Sequence, residues 1–226
     1  MLEQISQRFH GSCMMLVKRS ENEVEFLGSC FLVHSDGYVL TTSRVATGES
    51  DLFVVPPDIE HSYPSLSHDE VTPIPVDVVS RDVEHDIALL KMRADLQIQM
   101  PSNVLGNPED VGRGGLLFSL GIPFGYYRLH GVMEVQSILS GRLMLSNGTK
   151  CLVFDRHVHF GDCGGPLIAA DAGQIIGVVG GGLDPVSLGA VSDHDKTTFG
   201  LQPALSYAVS LEYGVRLLHD AGVTPE

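Results

Sequence analysis

Short apolar runs, separated by polar or glycine-containing turns, follow one another through the first half of the chain. The pattern predicts five strands, over Ser12 to Val17, Val24 to Val33, Tyr38 to Thr42, Val76 to Val79 and Ile87 to Met92. Between the second and third of them, the segment Ser35-Asp36-Gly37 has the composition of a tight hairpin turn. Short strands at this spacing are typical of antiparallel barrels and sandwiches.

The second half has the same character without repeating the sequence. Strands are predicted over Leu116 to Leu120, Val132 to Leu139, Leu143 to Leu145, Lys150 to Phe154, Pro166 to Ala169, Ile175 to Val179 and Phe199 to Leu201. The composition of residues 56–71 predicts a long exposed loop, and a cluster of Pro, Asn and Gly within 94–112 predicts the linker between the halves.

A helical period is present only at the two ends of the chain. Leu2, Ile5 and Phe9 have the spacing of one helix face, which predicts a short helix or arm over residues 1–9. At the other end, apolar residues at helical spacing predict a helix over Ala204 to Ala221, which Gly222 would terminate.

Composition indicates a folded, acidic protein. Hydrophobic residues make up 43% of the 226 residues and charged residues only 19%, which excludes a disordered chain and suffices for a large core. The formal net charge of −14 would repel nucleic acid and anionic membranes, so neither is expected as a partner. Oligomeric state is left open.

The expectations on localisation and cofactors rest on sequence features that are missing: the apolar run of a signal peptide and a metal-binding spacing of cysteines. The first twenty residues do not have the apolar run of a signal peptide, so a soluble, cytoplasmic protein is expected, with removal of a leader left open. The four cysteines lack metal-type spacing and most lie in apolar strands, where free buried thiols are the usual state. We therefore expect no disulfides, no metal and no cofactor.

Candidate chemistry is concentrated between His157 and Leu167, read as HVHFGDCGGPL. Glycines on both sides of Cys163 allow a sharp turn that presents this side chain and directs backbone N–H groups to one point. Such a turn is what a nucleophile beside an oxyanion hole requires.

The pattern G-D-x-G-G-P resembles the nucleophile loop of trypsin-like (chymotrypsin-fold) proteases, in which x is serine. Further segments resemble the HtrA-like (DegP-like) branch in the same order: Gly28 to Phe31, Ser35 to Thr41, Asp86 to Leu90, Leu120 to Gly125 and Gln174 to Val178. The resemblance implies an all-β fold of two six-stranded antiparallel β-barrels with a C-terminal helix. It divides the chain into an arm (1–11), a first barrel (12–100) and a second barrel with the helix (101–226).

In that family the general-base histidine follows the segment L-T-x-x, where this chain has Arg44. The resemblance places Asp86 at the aspartate position and Cys163 at the serine position. A guanidinium with a pKa above about 12 accepts no proton near neutral pH, so Arg44 is excluded as a base. Its expected role is a structural ion pair with Asp86.

A thiolate at Cys163 could still act as a nucleophile if a histidine protonated the leaving group. The sequence offers His85, His34 and His159 for this role. The resemblance makes the N–H groups of Gly161 and Cys163 the oxyanion hole. For the Asp162 carboxylate, the partner is left open between Arg44, Arg156 and solvent.

The resemblance also implies a substrate pocket. His157 occupies the position at the base of the primary specificity pocket, and Gly180 and Gly181 fall where the family pairs with substrate backbone, although a plain glycine turn fits them equally well. The leading hypothesis is a catalytically inactive peptidase homologue that binds a peptide or protein in the inter-barrel cleft by strand addition. The alternatives are an active cysteine endopeptidase and a scaffold with an occluded cleft.

Overall fold

A computed structural model describes residues 2–20, 24–48, 51–58, 72–94, 98–183 and 205–226, and these residues form twelve strands and two α-helices. The strands are β1 (Cys13–Arg19), β2 (Val24–His34), β3 (Tyr38–Thr41), β4 (Leu52–Val55), β5 (Ile74–Asp82), β6 (Ile87–Met92), β7 (Leu116–Gly121), β8 (Met133–Met144), β9 (Lys150–Phe154), β10 (Pro166–Ala169), β11 (Gln174–Gly182) and β12 (Ser206–Ser210). The helices are α1 (Leu2–Phe9) and α2 (Glu212–Asp220).

Two closed six-stranded antiparallel barrels contain all twelve strands. The first has the order β1-β2-β3-β6-β5-β4, and β4 closes it by pairing with β1. The second has the order β7-β8-β9-β12-β11-β10, closed by β10 on β7. Closure leaves no long unpaired edge in either barrel, and it confirms the fold class expected from the sequence.

Both barrel interiors are packed with apolar side chains, and the helices extend this core. Phe31 and Phe154 are fully buried, one in each barrel. Ile5 and Phe9 of α1 and Leu218 of α2 are also buried. Although it follows the second barrel in sequence, α2 packs on β5 and β6 of the first, so the end of the chain ties the two barrels together.

Three predictions of local structure need correction. The helix expected over Ala204 to Ala221 is a strand, β12, followed by the shorter helix α2. Val132 to Leu139 and Leu143 to Leu145 belong to one strand, β8, whose pairing with β9 shifts register between Leu139 and Gly141. The sequence pattern missed β4 altogether.

Two further predictions fall outside the described residues. These are the strand over Phe199 to Leu201 and most of the loop over 56–71. Residues 101–112 precede β7 in sequence and include a short 3₁₀-helix, Pro108–Asp110, with Asn107 accepting a hydrogen bond from the Glu109 N–H.

Candidate active site

The loop around Cys163 is built as the sequence pattern requires. A 3₁₀-helix, Phe160–Asp162, leads into Cys163, and β10 begins three residues later. Gly164 has φ +90°, and a Cβ there would overlap the Ser29 carbonyl oxygen, so only glycine fits this close approach. The Ser29 N–H donates to the Cys163 carbonyl at 2.9 Å, which fixes the loop of the second barrel against β2 of the first.

Arg44 and Asp86 form an ion pair at the edge of the first barrel. Arg44 follows β3 and Asp86 precedes β6, two neighbouring strands, so both side chains emerge at the same end of the barrel. Nη1 of Arg44 lies 2.7 Å from Oδ2 of Asp86, and the Arg44 backbone N–H donates to Oδ1 at 2.9 Å. The ion pair expected from the sequence is therefore present.

Electrostatics keep Arg44 cationic. Partial burial opposes its charge, but Tyr207 and Asp86 outweigh it and raise the pKa of the guanidinium above its ordinary value. For Asp86 the balance is reversed: burial raises the pKa of its carboxyl, and the guanidinium and nearby backbone N–H groups offset this only in part. Arg44 thus has no capacity to accept a proton from a thiol.

Tyr207 completes this group from the second barrel, and sequence reasoning missed it. Tyr207 lies on β12, and its hydroxyl accepts a hydrogen bond from Nη1 of Arg44 at 3.2 Å. Gly180 on the neighbouring strand β11 packs so closely that a Cβ there would overlap the Tyr207 ring. The sequence carried no signal for this role, because the segment around Tyr207 was predicted to be helical.

Cys163 faces the same point in the cleft as Arg44. A Cβ placed at Gly181 would lie 3.6 Å from the Cys163 Sγ and 3.7 Å from Nη2 of Arg44. Cys163 is only 7% exposed, and burial raises the pKa of its thiol although the Arg44 guanidinium pulls it down. The uncharged thiol is therefore its form at neutral pH.

Two of the three histidines considered as partners for Cys163 are engaged elsewhere. His85 stacks on Tyr213 with a centroid separation of 4.0 Å and bonds to Asp82, whereas His34 lies 3.4 Å from a Glu226 carboxylate oxygen. Within the described part of the chain, the hydrogen bond of the Cys163 Sγ goes to the His159 carbonyl oxygen, at 4.0 Å, and not to an imidazole.

The two N–H groups of the predicted oxyanion hole are not both available. The Cys163 N–H donates to the Phe160 carbonyl at 3.2 Å, within its own 3₁₀ turn. The backbone of Gly161 packs directly against the Ile122 carbonyl oxygen, which a Cβ at this position would overlap. In this conformation one of the two expected donors is already satisfied, so the loop does not present a formed hole.

The Asp162 carboxylate pairs with Arg156, one of the three partners that the sequence left open. It is fully buried, and its Oδ2 accepts from Nη2 of Arg156 at 2.9 Å and from the His159 N–H at 3.0 Å. Arg156, itself 92% buried, also donates to the Ser119 hydroxyl at 2.5 Å. This buried pair ties the nucleophile loop to β7.

His157, expected at the base of the substrate pocket, is exposed. Its ring lies edge-on to His159, with centroids 5.3 Å apart, and His159 in turn lies 5.4 Å from the Phe124 ring. Gly180 and Gly181 lie on β11, beside Tyr207 and Cys163 respectively. The structure therefore brings Arg44, Asp86, Cys163 and Gly181 together, with His157 in a separate aromatic cluster.

All four cysteines are described, and each is a buried free thiol. Among the described residues, three or more His, Cys, Asp or Glu side chains nowhere cluster as metal ligands would. Nor does any helix in the described ranges have the length and apolarity needed to cross a membrane.

Comparison with known proteins agrees with this geometry. The family model described as "Trypsin-like peptidase domain" matches residues 28–178, about two thirds of the chain. The chain belongs to the trypsin-like peptidase domain family. Its match begins in β2 and ends in β11, so it includes Arg44, Asp86 and Cys163.

Relatives of this trypsin-like peptidase domain include HtrA-type proteases. A "Probable periplasmic serine endoprotease DegP-like" from Halomonas elongata is 30% identical over 153 residues, covering 67% of this chain and 28% of the relative. "Serine protease HTRA1" from Xenopus tropicalis is 30% identical over 154 residues, covering 67% and 30%. The chain thus spans less than a third of these relatives, and the resemblance to the HtrA-like branch is confirmed.

Solved structures show the same fold. "HtrA-type protease AlgW with decapeptide" superposes with a TM-score of 0.70 at 18% identity, covering 97% of this chain and 67% of that one. "Crystal structure of Rv3671c protease from M. tuberculosis, active form" also gives 0.70, at 19% identity, covering 97% and 85%.

Proposed function

We propose that this trypsin-like domain is a catalytically inactive peptidase homologue that binds an extended peptide in the cleft between its barrels. The observation that carries the proposal is the Arg44 guanidinium, paired with Asp86 at 2.7 Å where the family resemblance requires a general base. A permanent cation neither takes a proton from the Cys163 thiol nor returns one to a leaving amine.

Two further observations disfavour the alternative, an active cysteine endopeptidase. The Cys163 thiol is buried and its pKa is raised, so it is not the thiolate that nucleophilic attack requires. Its backbone N–H is used by the Phe160 carbonyl and does not face a substrate. Both features would have to change before catalysis.

Peptide binding is supported by the edge of β11. In its register with β10, this strand is paired only as far as Val178. Beyond Val179, β12 is the one described strand that pairs with it. The other edge of Gly180 to Gly182 is therefore open to an added strand as far as the described residues go. Main-chain hydrogen bonds to such an edge bind extended peptides with little dependence on sequence.

Hydrolysis of fluorescent casein by the purified chain and by Cys163→Ala tests the inactive state. We expect both proteins to give the same background rate, because Arg44 cannot activate the thiol. Cleavage by the parent chain that disappears in Cys163→Ala would establish the cysteine endopeptidase instead.

Binding is tested with the same unfolded casein, labelled for fluorescence anisotropy, and a pair of glycine variants. Gly181→Leu would fill the space beside Cys163 and Arg44, so we expect binding to be lost. Gly148→Leu is the matched control: Gly148 also has a positive φ, but its Cβ would meet nothing within 4 Å. Equal binding by the parent and both variants would place the ligand outside this cleft.

A further inference from the structure

We propose that the cleft receives a carboxylate of its peptide ligand, and that Arg44 binds this carboxylate beside Cys163. The inference rests on the proposed function and specifies the chemistry of the ligand. It makes Arg44 a binding residue as well as the partner of Asp86.

The guanidinium has a side that still faces the cleft. Asp86 and Tyr207 both engage Nη1, at 2.7 Å and 3.2 Å. Nη2 lies beside Gly181. A Cβ atom placed at Gly181 would lie 3.7 Å from Nη2 and 3.6 Å from the Cys163 Sγ, and both are ordinary van der Waals distances. The Arg44 side chain is 47% exposed, so a ligand atom has both room and access at this point.

The charges around this point favour an anion more than a neutral carbonyl. The Cys163 N–H, which would otherwise hold a carbonyl of a passing chain, is already bonded to Phe160. The nearby acid Asp162 is buried and paired with Arg156, and the neutral Cys163 thiol adds no negative charge. Asp86 is the acid that opposes the ligand, and it contacts the guanidinium through Nη1, away from Nη2.

A hydrogen bond from a guanidinium N–H to a carboxylate is charge-assisted, which makes it about twice as strong as one to a neutral acceptor. The protein as a whole carries a formal net charge of −14, so a carboxylate needs a local cation in order to bind. The carboxylate could belong to the end of a peptide chain or to an Asp or Glu side chain. The two sources are separated by experiment.

The test uses randomised hexapeptide pools equilibrated with the purified chain and measured by ultrafiltration. One pool ends in free acids, the second in amides, and the third in amides with glutamate fixed at the last position. We expect the free-acid pool to be retained about tenfold better than the plain amide pool, since one charge-assisted interaction is lost in the amide. Retention of the third pool at the level of the first would assign the carboxylate to a side chain.

Variants then assign the preference to Arg44. Arg44→Gln leaves Asp86 unpaired, so the double variant Arg44→Gln/Asp86→Asn accompanies it, and we expect both to retain acids and amides equally. Arg93→Gln removes the same charge at an exposed pair with Asp77 in the first barrel and should keep the preference.

The outcomes separate the two proposals. Equal retention of all three pools by the parent chain would overturn carboxylate binding and leave strand addition intact. A preference for acids that persists in the double variant would overturn the role of Arg44. Retention of none of the pools would overturn the proposed function together with this inference.

Discussion

At the scale of single residues, the Cys163 thiol shows how the site's charges are balanced. Burial raises its pKa, the Arg44 guanidinium lowers it, and Asp162 and Asp86 raise it again. The net direction is upward, because burial is the largest of these influences and the guanidinium offsets it only in part. Proximity to an arginine is therefore not enough to generate a thiolate.

This balance predicts the pH dependence of alkylation by iodoacetamide, measured as mass increase with Cys163→Ser as the blank. The alkylation rate should reach half its maximum at a pH above 9.0, the usual pKa of a cysteine thiol. In Arg44→Gln the midpoint should move higher still, because the lowering influence has been removed. A midpoint near pH 7, typical of activated cysteines at about 3.5–7.5, would show that the thiol is primed for chemistry.

At the scale of elements, α2 holds the turn that presents Asp86. Asp82, at the end of β5, accepts hydrogen bonds from His85 in that turn and from Arg216 on α2. The His85 ring stacks on Tyr213 of the same helix. Burial of Asp82 opposes its ionisation, but these hydrogen bonds outweigh burial and lower the pKa of the carboxyl.

Asp82→Asn should therefore lower the free energy of unfolding by about 1–3 kcal/mol at pH 7, since hydrogen bonds to a partly buried charged group are lost. The pKa of Asp82 is lower in the folded than in the unfolded protein. The stabilisation is therefore fully present at a pH above the unfolded pKa of about 3.9, and it is lost as the pH falls through the lower pKa of the folded state. Urea unfolding from pH 7 down to pH 3 measures this. Asp171→Asn, in the exposed turn between β10 and β11, is the control and should change the free energy of unfolding at pH 7 by less than about 0.5 kcal/mol.

At the scale of the whole molecule, the cleft is bridged by its own side chains. Arg44 belongs to the first barrel and Tyr207 to the second, and their hydrogen bond crosses the space between them. The backbone bond from Ser29 to Cys163 and the packing of α2 on the first barrel connect the same two halves. The barrels therefore meet through polar contacts at the site as well as through apolar packing.

Removing the tyrosine hydroxyl tests this bridge. Tyr207→Phe should reduce the free energy of unfolding by about 0.5–1.5 kcal/mol, the usual contribution of one hydrogen bond. Tyr127→Phe is the control, because Tyr127 is 76% exposed and its change should stay within about 0.5 kcal/mol. Equal stability of Tyr207→Phe and the parent in urea would mean that the Arg44 bond to Tyr207 adds nothing to the barrel contact.

The sequence by itself determined the fold class and most of the strands, because alternation and glycine turns are written locally in the chain. It also predicted the pairing of Arg44 with Asp86, because the family resemblance assigned both positions. It failed at β12, because Ser206–Ser210 are all buried but only the three central residues are apolar, a run too short to distinguish a strand from a helix. The sequence also did not determine that the Cys163 N–H bonds to the Phe160 carbonyl of its own loop, or which residue pairs with the Asp162 carboxylate. The tertiary structure decided all three. Pairing with β9 and β11 fixes β12 as a strand, and the two loop contacts depend on the conformation that the segment from Arg156 to Cys163 adopts in the second barrel.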